Sequence, residues 1–367
     1  MAENLVRAIA FYLPQYHPIP ENDEWWGKGF TEWTNVTKAK PLFRGHYQPH
    51  LPADLGFYDL RLSESRIAQA ELARAHGIHG FCYYHYWFNG RRILERPFSE
   101  VLASGNPNFP FCLCWANENW TRAWDGQDRE VLLQQVYGEL DDRAHLQAIA
   151  PAFADPRYIR VGGKPLFIVY RASSLPDALR TTDTWRDEAI RLGLGELYLC
   201  RVENFDTDHS NPKAMGFDAA IEFAPDWGCV GTLLGRSRWD YRLARVDKNR
   251  RFSLANRLCD YDTLIANMLA KHKTDYLRYR CVTPMWDNTA RRRVDSTAFV
   301  GSTPEKYGKW LSSIAKVAVQ DNSDPIVFIN AWNEWAEGNH LEPCQLYGHR
   351  YLEATRDALI WPRPYQA

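Results

Sequence analysis

The chain has 367 residues, 45% of them hydrophobic, and a formal net charge of -1 from 44 basic and 45 acidic side chains. That length can bury a barrel-sized core, and the balanced charge excludes a global field for nucleic acid, phospholipid headgroups or polyanions, so selectivity has to come from a local site. With no charged-then-apolar leader at Met1 to Arg7 and no apolar run near the roughly 18 residues of a membrane span, the expected protein is cytoplasmic, or a domain of a longer chain.

In chain order, Ala8 to Leu13 reads as a buried strand that stops at Pro14 and gives way to Gln15, Tyr16 and His17. A segment rich in Trp, Pro and Gly follows from 21 to 59 without clear periodicity; loops that long inside a compact domain are functional or disordered, and this one is too aromatic to be disordered. Ser63 to His76 has the spacing of an amphipathic helix, completing a strand-loop-helix unit. Gly80 to Tyr84 starts the next, ending in His85, Tyr86 and Trp87, with Phe98 to Ala103 as its short helix. Phe111 to Trp115 ends in Asn117, Glu118, Asn119 and Trp120 and precedes a helix from Asp141 to Phe153. Pro165 to Tyr170 precedes Thr182 to Leu192, whereas Leu197 to Val202, ending in Glu203-Asn204, has no clear helix after it.

Ala219 to Phe223 carries Glu222. A polar, basic stretch from 226 to 260 reads as an insertion leading to a helix from Tyr261 to Lys273. Tyr279 to Met285 ends in Trp286 and Asp287, and its helix runs from Pro304 to Val319, with Thr303 as N-cap and Pro304 at the first helical position. Ile326 to Ile329 is the last strand, and Tyr347 to Leu359 the closing helix.

Strands alternating with helices imply parallel pairing, and near-continuous apolar runs imply strands covered on both faces. About eight such units predict one (β/α)₈ TIM-type barrel over 1–367, with long aromatic loops at the C-terminal face, rather than an open sheet; no glycine-rich phosphate turn follows the first strand. Cys82, Cys112, Cys114, Cys200 and Cys281 fall in strands and read as small hydrophobes.

Barrel active sites lie at the C-terminal strand ends. The residues gathered there, Tyr16, His17, His85, Tyr86, Trp87, Asn117, Glu118, Trp120, Glu222, Trp286, Trp332 and Asn333, with Trp26 and Trp33 from the long loop, are aromatic and polar. That mix suits a neutral polyhydroxylated ligand, because sugar rings offer hydroxyls and flat C–H faces together. After the last strand stand Glu334 and Glu337, three apart, a spacing that puts two carboxylates on one face of a helical turn, roughly 5 to 6 Å apart at Cβ. Such a pair in an enclosed site retains a proton and supplies an acid and a base together, as glycoside cleavage requires.

A metal reading, with His17, His85, Glu118 and the Glu pair on one ion, lacks an H-E-x-x-H spacing; His46 and His50 sit in the long loop with Pro49 between them. No metal and no cofactor are expected. Arg291-Arg292-Arg293 reads as a solvated face, with contact to an anionic group as the alternative.

Phe11 to His17, Trp25 to Trp33, Gly80 to Phe88, Trp115 to Glu118 and Trp332 to Gly338 together resemble the WbsX-like family over nearly the whole chain. That family is associated with bacterial surface-polysaccharide gene clusters and carries a glycosyltransferase label. The strand order and the terminal Asn333-Glu334-Trp335-Ala336-Glu337 motif are similar to the endo-α-1,2-mannosidases, retaining glycoside hydrolases on (β/α)₈ barrels. That resemblance implies Glu334 as the base that deprotonates a sugar 2-hydroxyl, forming a 1,2-anhydro intermediate, and Glu337 as acid/base.

The leading expectation is therefore a retaining glycoside hydrolase on a bacterial polysaccharide or glycan. A glycosyltransferase or transglycosylase of O-antigen or surface-polysaccharide biosynthesis is the alternative, with Asp206-Thr207-Asp208 or Asp260-Tyr261-Asp262 as a donor-metal triplet. A carbohydrate-binding barrel without catalysis is the third reading. The expected partner is an oligosaccharide or polysaccharide, with no nucleic acid and no transmembrane segment. Glu342, beyond Gly338, takes no part in this assignment.

Overall fold

The computed structural model describes residues 6–122, 127–203, 210–235, 254–292 and 294–360. Eight strands form the frame: β1 (Arg7–Tyr12), β2 (Ile78–Phe88), β3 (Phe111–Trp115), β4 (Lys164–Val169), β5 (Tyr198–Glu203), β6 (Ala219–Glu222), β7 (Arg278–Val282) and β8 (Ile326–Ile329). Each pairs in parallel with its sequence neighbours, and β1 closes the circle by pairing with both β2 and β8, where Ile9 faces Phe328 and Ala10 faces Ile329. The result is a closed (β/α)₈ barrel. The covering on both faces follows from composition: β3 and β8 are apolar and buried at every position.

The crossover helices are α1 (Ser63–Ala75), α2 (Arg96–Ser104), α3 (Glu139–Ala154), α4 (Ala178–Arg191), α5 (Tyr261–Leu269), α6 (Pro304–Asp321) and α7 (Arg350–Leu359). Helix α6 starts where its signals place it, with the Thr303 hydroxyl accepting from the Lys306 N–H, a cap worth about 1 kcal/mol. Between β5 and β6 the described chain has a single 3₁₀ turn, Pro212–Met215, in place of a helix. Cys82, Cys112, Cys114, Cys200 and Cys281 are free thiols in the buried core, as their strand positions imply.

Three local expectations change. Strand β2 runs on to Phe88, so His85, Tyr86 and Trp87 belong to the strand and not to a loop after it. The 21–59 segment holds two short helices, Pro20–Trp26 and Glu32–Lys38, the second closed by a reciprocal capping box between Thr31 and Thr34. The 226–260 stretch lies partly outside the described residues; its end, Arg257–Asp260, is a strand paired in parallel with Thr297–Val300 beside the barrel. Among the described residues no helix is long and apolar enough to cross a membrane.

Candidate active site

A cavity of about 1080 Å³ opens over the C-terminal ends of the strands. Its aromatic wall comes from Trp26, Tyr84, Tyr86, Trp120, Tyr137 and Tyr170 on one side and Phe223, Trp227 and Trp286 on the other. Asn117, Glu118, Asn330, Glu334 and Glu337 supply polar groups.

The carboxylates are delivered by local backbone. Glu334 closes a two-residue strand, Asn333–Glu334, paired with Asn339–His340, and Trp335–Glu337 forms a 3₁₀ turn. Gly338 ends that turn at φ +54°, where a Cβ would come within 3.0 Å of the Asp287 Cβ. The Asp287 N–H donates to the Glu337 carbonyl at 2.6 Å, tying the turn to the segment after β7.

That segment brings in the residue sequence reasoning misplaced. Arg291, expected on a solvated face, is enclosed and forks between carboxylates: Nη1 donates to Glu337 Oε1 at 2.6 Å and Nη2 to Glu334 Oε2 at 3.0 Å. It also lies 3.2 Å from Glu32 Oε2, which reaches it from the long loop. The charged run misled because a run of arginines carries no burial signal; its place just after a strand end was the usable clue.

Three carboxylates around one guanidinium cannot all ionise comfortably. Burial is the main force raising Glu334, up to about 8, with Glu337 and Glu32 adding repulsion and Arg291 opposing. Glu337 and Glu32 are raised too, again chiefly by burial against the pull of Arg291. Burial works against the charge of Arg291, yet Glu32, Glu337 and Glu334 hold it firmly protonated. Glu334 is the more enclosed of the pair, with 9% of its side chain exposed against 19% for Glu337, and it has the longer bond to Arg291. The proton retained at neutral pH therefore rests on Glu334. The sequence argument rested on mutual repulsion; desolvation is the larger cause.

Of the residues picked from the sequence, Trp26, Tyr86, Asn117, Glu118, Trp120, Trp286, Glu334 and Glu337 line the cavity. The others lie behind its wall. His85 and Trp87 point the opposite way from Tyr84 and Tyr86, as strand alternation requires: His85 shares a hydrogen bond with His145 of α3 at 3.0 Å, and the Trp87 indole donates to Asp141. That orientation also takes His85 away from any common metal point with Glu334.

Glu222 turns away from the cavity, bound by Arg280 Nε at 2.7 Å and 3.2 Å from Lys271. Asn333 clips β1 in place, accepting from the Leu13 N–H at 2.7 Å and donating to the Leu13 carbonyl at 3.0 Å. Tyr16 donates to the Asn333 carbonyl, Trp33 donates to the Tyr58 carbonyl at 2.8 Å, and His17 bonds to the Pro14 carbonyl. Trp332 is fully buried against Phe81. Glu342 stays structural, accepting from Tyr58, Gln69 and Trp335, and is raised to about 7 by burial despite those bonds.

Asp206-Thr207-Asp208 lies outside the described residues. Asp260 caps α5 by accepting from the Thr263 N–H, and Asp262 pairs with Lys306 of α6 at 2.7 Å, so both carboxylates of the second triplet have protein partners. Besides Arg291, the cavity residues the sequence did not single out include Tyr84, Tyr137, Tyr170, Phe223, Trp227, Asn288 and Arg257. Tyr170 and Phe223, placed inside strands, in fact follow their last residues.

Residues 8–355 match the family described as glycosyltransferase WbsX. The chain belongs to this family. Two proteins called uncharacterized protein WxcX, from two strains of Xanthomonas campestris pv. campestris, are 43% identical over 353 residues, which is 96% of this chain and 49% of theirs. The chain thus spans about half the length of the curated relatives it matches. Among solved structures, a glycoside hydrolase-like protein superposes with a TM-score of 0.59 at 14% identity, covering 98% of this chain and 95% of that one. A GH99 endo-alpha-mannosidase from Bacteroides thetaiotaomicron, in complex with BIS-TRIS-propane, gives 0.57 at 13% identity, covering 96% of each. These likenesses establish a common barrel fold.

Proposed function

We propose that the WbsX-family barrel is a glycoside hydrolase acting on a bacterial polysaccharide or glycan, with Glu334 and Glu337 as its acid/base pair. One observation carries this reading: two largely buried carboxylates that share one guanidinium and line a large aromatic cavity. Cleaving a glycosidic bond needs a proton on the leaving oxygen and a base on the sugar side, and in this reading Glu334 and Glu337 supply the two.

With the roles the resemblance implies, Glu334 takes the proton of the sugar 2-hydroxyl as that oxygen bonds to C1, and Glu337 protonates the departing glycosidic oxygen. Water then opens the anhydro ring at C1, giving its proton to Glu337 while Glu334 returns one to O2. Burial favours the proton on Glu334, so the proposed step requires substrate entry to leave it on Glu337. Because Arg291 touches both groups, either placement keeps one charged carboxylate on the guanidinium.

The family's description favours a second reading, glycosyl transfer by the same pair, with a sugar hydroxyl in place of water. Mass spectrometry separates the two. The protein is incubated with surface polysaccharide from its source bacterium, with and without sugar nucleotides. Fragments heavier by the elements of water, formed without any sugar nucleotide, support hydrolysis; products extended by one sugar only when a sugar nucleotide is present overturn it.

A further inference from the structure

The two ends of the cavity differ in charge. On the side of β2 and β3, Glu118 faces the cavity beside Trp26 and Trp120, 3.2 Å from Arg171. On the far side, Arg257 lines the cavity next to Thr297, Asn288 and Trp286. We infer, building on the glycan reading above, that this far end binds an anionic substituent of the ligand, a carboxylate or a phosphate, on the guanidinium of Arg257.

Arg257 is half-buried, and its side chain forms no ion pair or hydrogen bond with any described residue. Other buried or half-buried arginines of the chain, such as Arg66, Arg157, Arg186 and Arg280, each hold a carboxylate. Arg291, in the same cavity, is already committed to its three. The exposed Asp295 also lines this end but makes no ion pair with Arg257. A planar cation with unused donors, lining an open cavity, is suited to bidentate capture of a carboxylate or phosphate.

Its backbone is fixed for the purpose. Arg257 stands opposite Thr297 in the small parallel sheet, and its N–H donates to the Ser296 carbonyl at 2.8 Å. Ser296 is held in turn by Asn256 through its N–H and its hydroxyl. The Thr297 N–H donates to Asn288 Oδ1 at 2.8 Å, which couples this sheet to the turn that carries Arg291. The spacing between the anion end and the acid/base pair is therefore set by the frame.

The test is binding, read by chemical-shift perturbation, for wild type, Arg257→Gln and Arg257→Lys. The probes are methyl glucuronide, methyl glucoside and inorganic pyrophosphate, and thermal melting checks that each variant folds. Wild type should bind the glucuronide about tenfold tighter than the glucoside, ~1.4 kcal/mol. That preference should vanish in Arg257→Gln and survive in part in Arg257→Lys, with glucoside binding unchanged. Pyrophosphate bound in place of the glucuronide, and lost in Arg257→Gln, identifies a phosphate as the anion. Equal affinity for the two sugars with no pyrophosphate binding, or an anion preference that survives in Arg257→Gln, overturns the inference and leaves the hydrolase reading standing. Failure of wild type to bind either sugar or pyrophosphate overturns the inference and removes the glycan reading with it.

Discussion

Glu334→Gln should make the protein more stable in alkaline solution. The wild-type carboxyl titrates at about 8 in the fold, against an ordinary value of 4.5. A folded pKa raised above the unfolded one contributes stability that is fully present below about 4.5 and is lost as pH rises through about 8. Integrated over that window the loss is at most about 4–5 kcal/mol, and the opposing pull of Arg291 and exchange of the proton with Glu337 reduce what one site shows. Glutamine keeps the shape of the side chain and removes the ionisation. Melting temperature measured from about pH 5 to pH 9 should fall steadily for wild type between about pH 5 and pH 8 and level off above that, and should change much less for Glu334→Gln. The two should agree within about 1 kcal/mol near pH 5, with the variant ahead by about 2–4 kcal/mol near pH 9. Parallel curves across the whole range would refute the argument that a buried proton sits on Glu334.

Arg291→Met removes the cation that Glu32, Glu334 and Glu337 share, and should cost about 3–5 kcal/mol at neutral pH in urea unfolding; the cost should shrink in acid, where the three carboxyls take up protons. Gly338→Ala puts a Cβ at φ +54° against Asp287 and should cost about 1–2 kcal/mol in the same assay. Asn333→Ala strands the Leu13 N–H and carbonyl inside the core, for a loss of about 2–4 kcal/mol. Its glycan affinity, measured calorimetrically below the melting range, should stay near wild type because Asn333 sits behind the cavity wall.

The barrel was legible in the sequence because most strands are apolar runs closed by a polar or aromatic cluster, and each crossover but one has a helical period. Where the reading failed, a tertiary partner decided the outcome. His85 and Trp87 look like rim residues until β2 is seen to continue to Phe88, which sends alternate side chains outward to α3. Glu222 ends a strand as a catalytic residue would, yet Arg280 and Lys271 hold it on the other side. The Asn333 amide resembles a ligand-binding group and instead matches the buried peptide N–H and carbonyl of Leu13, just past the end of β1. Arg291 was hidden for the opposite reason: what marks it is the company of three carboxylates brought from the long loop and from beyond β8, a proximity that no local spacing encodes.

The most direct test of the central claim sets wild type, Glu334→Gln and Glu337→Gln side by side on a bacterial surface polysaccharide, with release of reducing ends as the readout. The account predicts release by wild type and a loss of at least about 10²-fold in each variant, the scale on which a general acid or base contributes, with all three proteins folded. Release by either variant at the wild-type rate would contradict it.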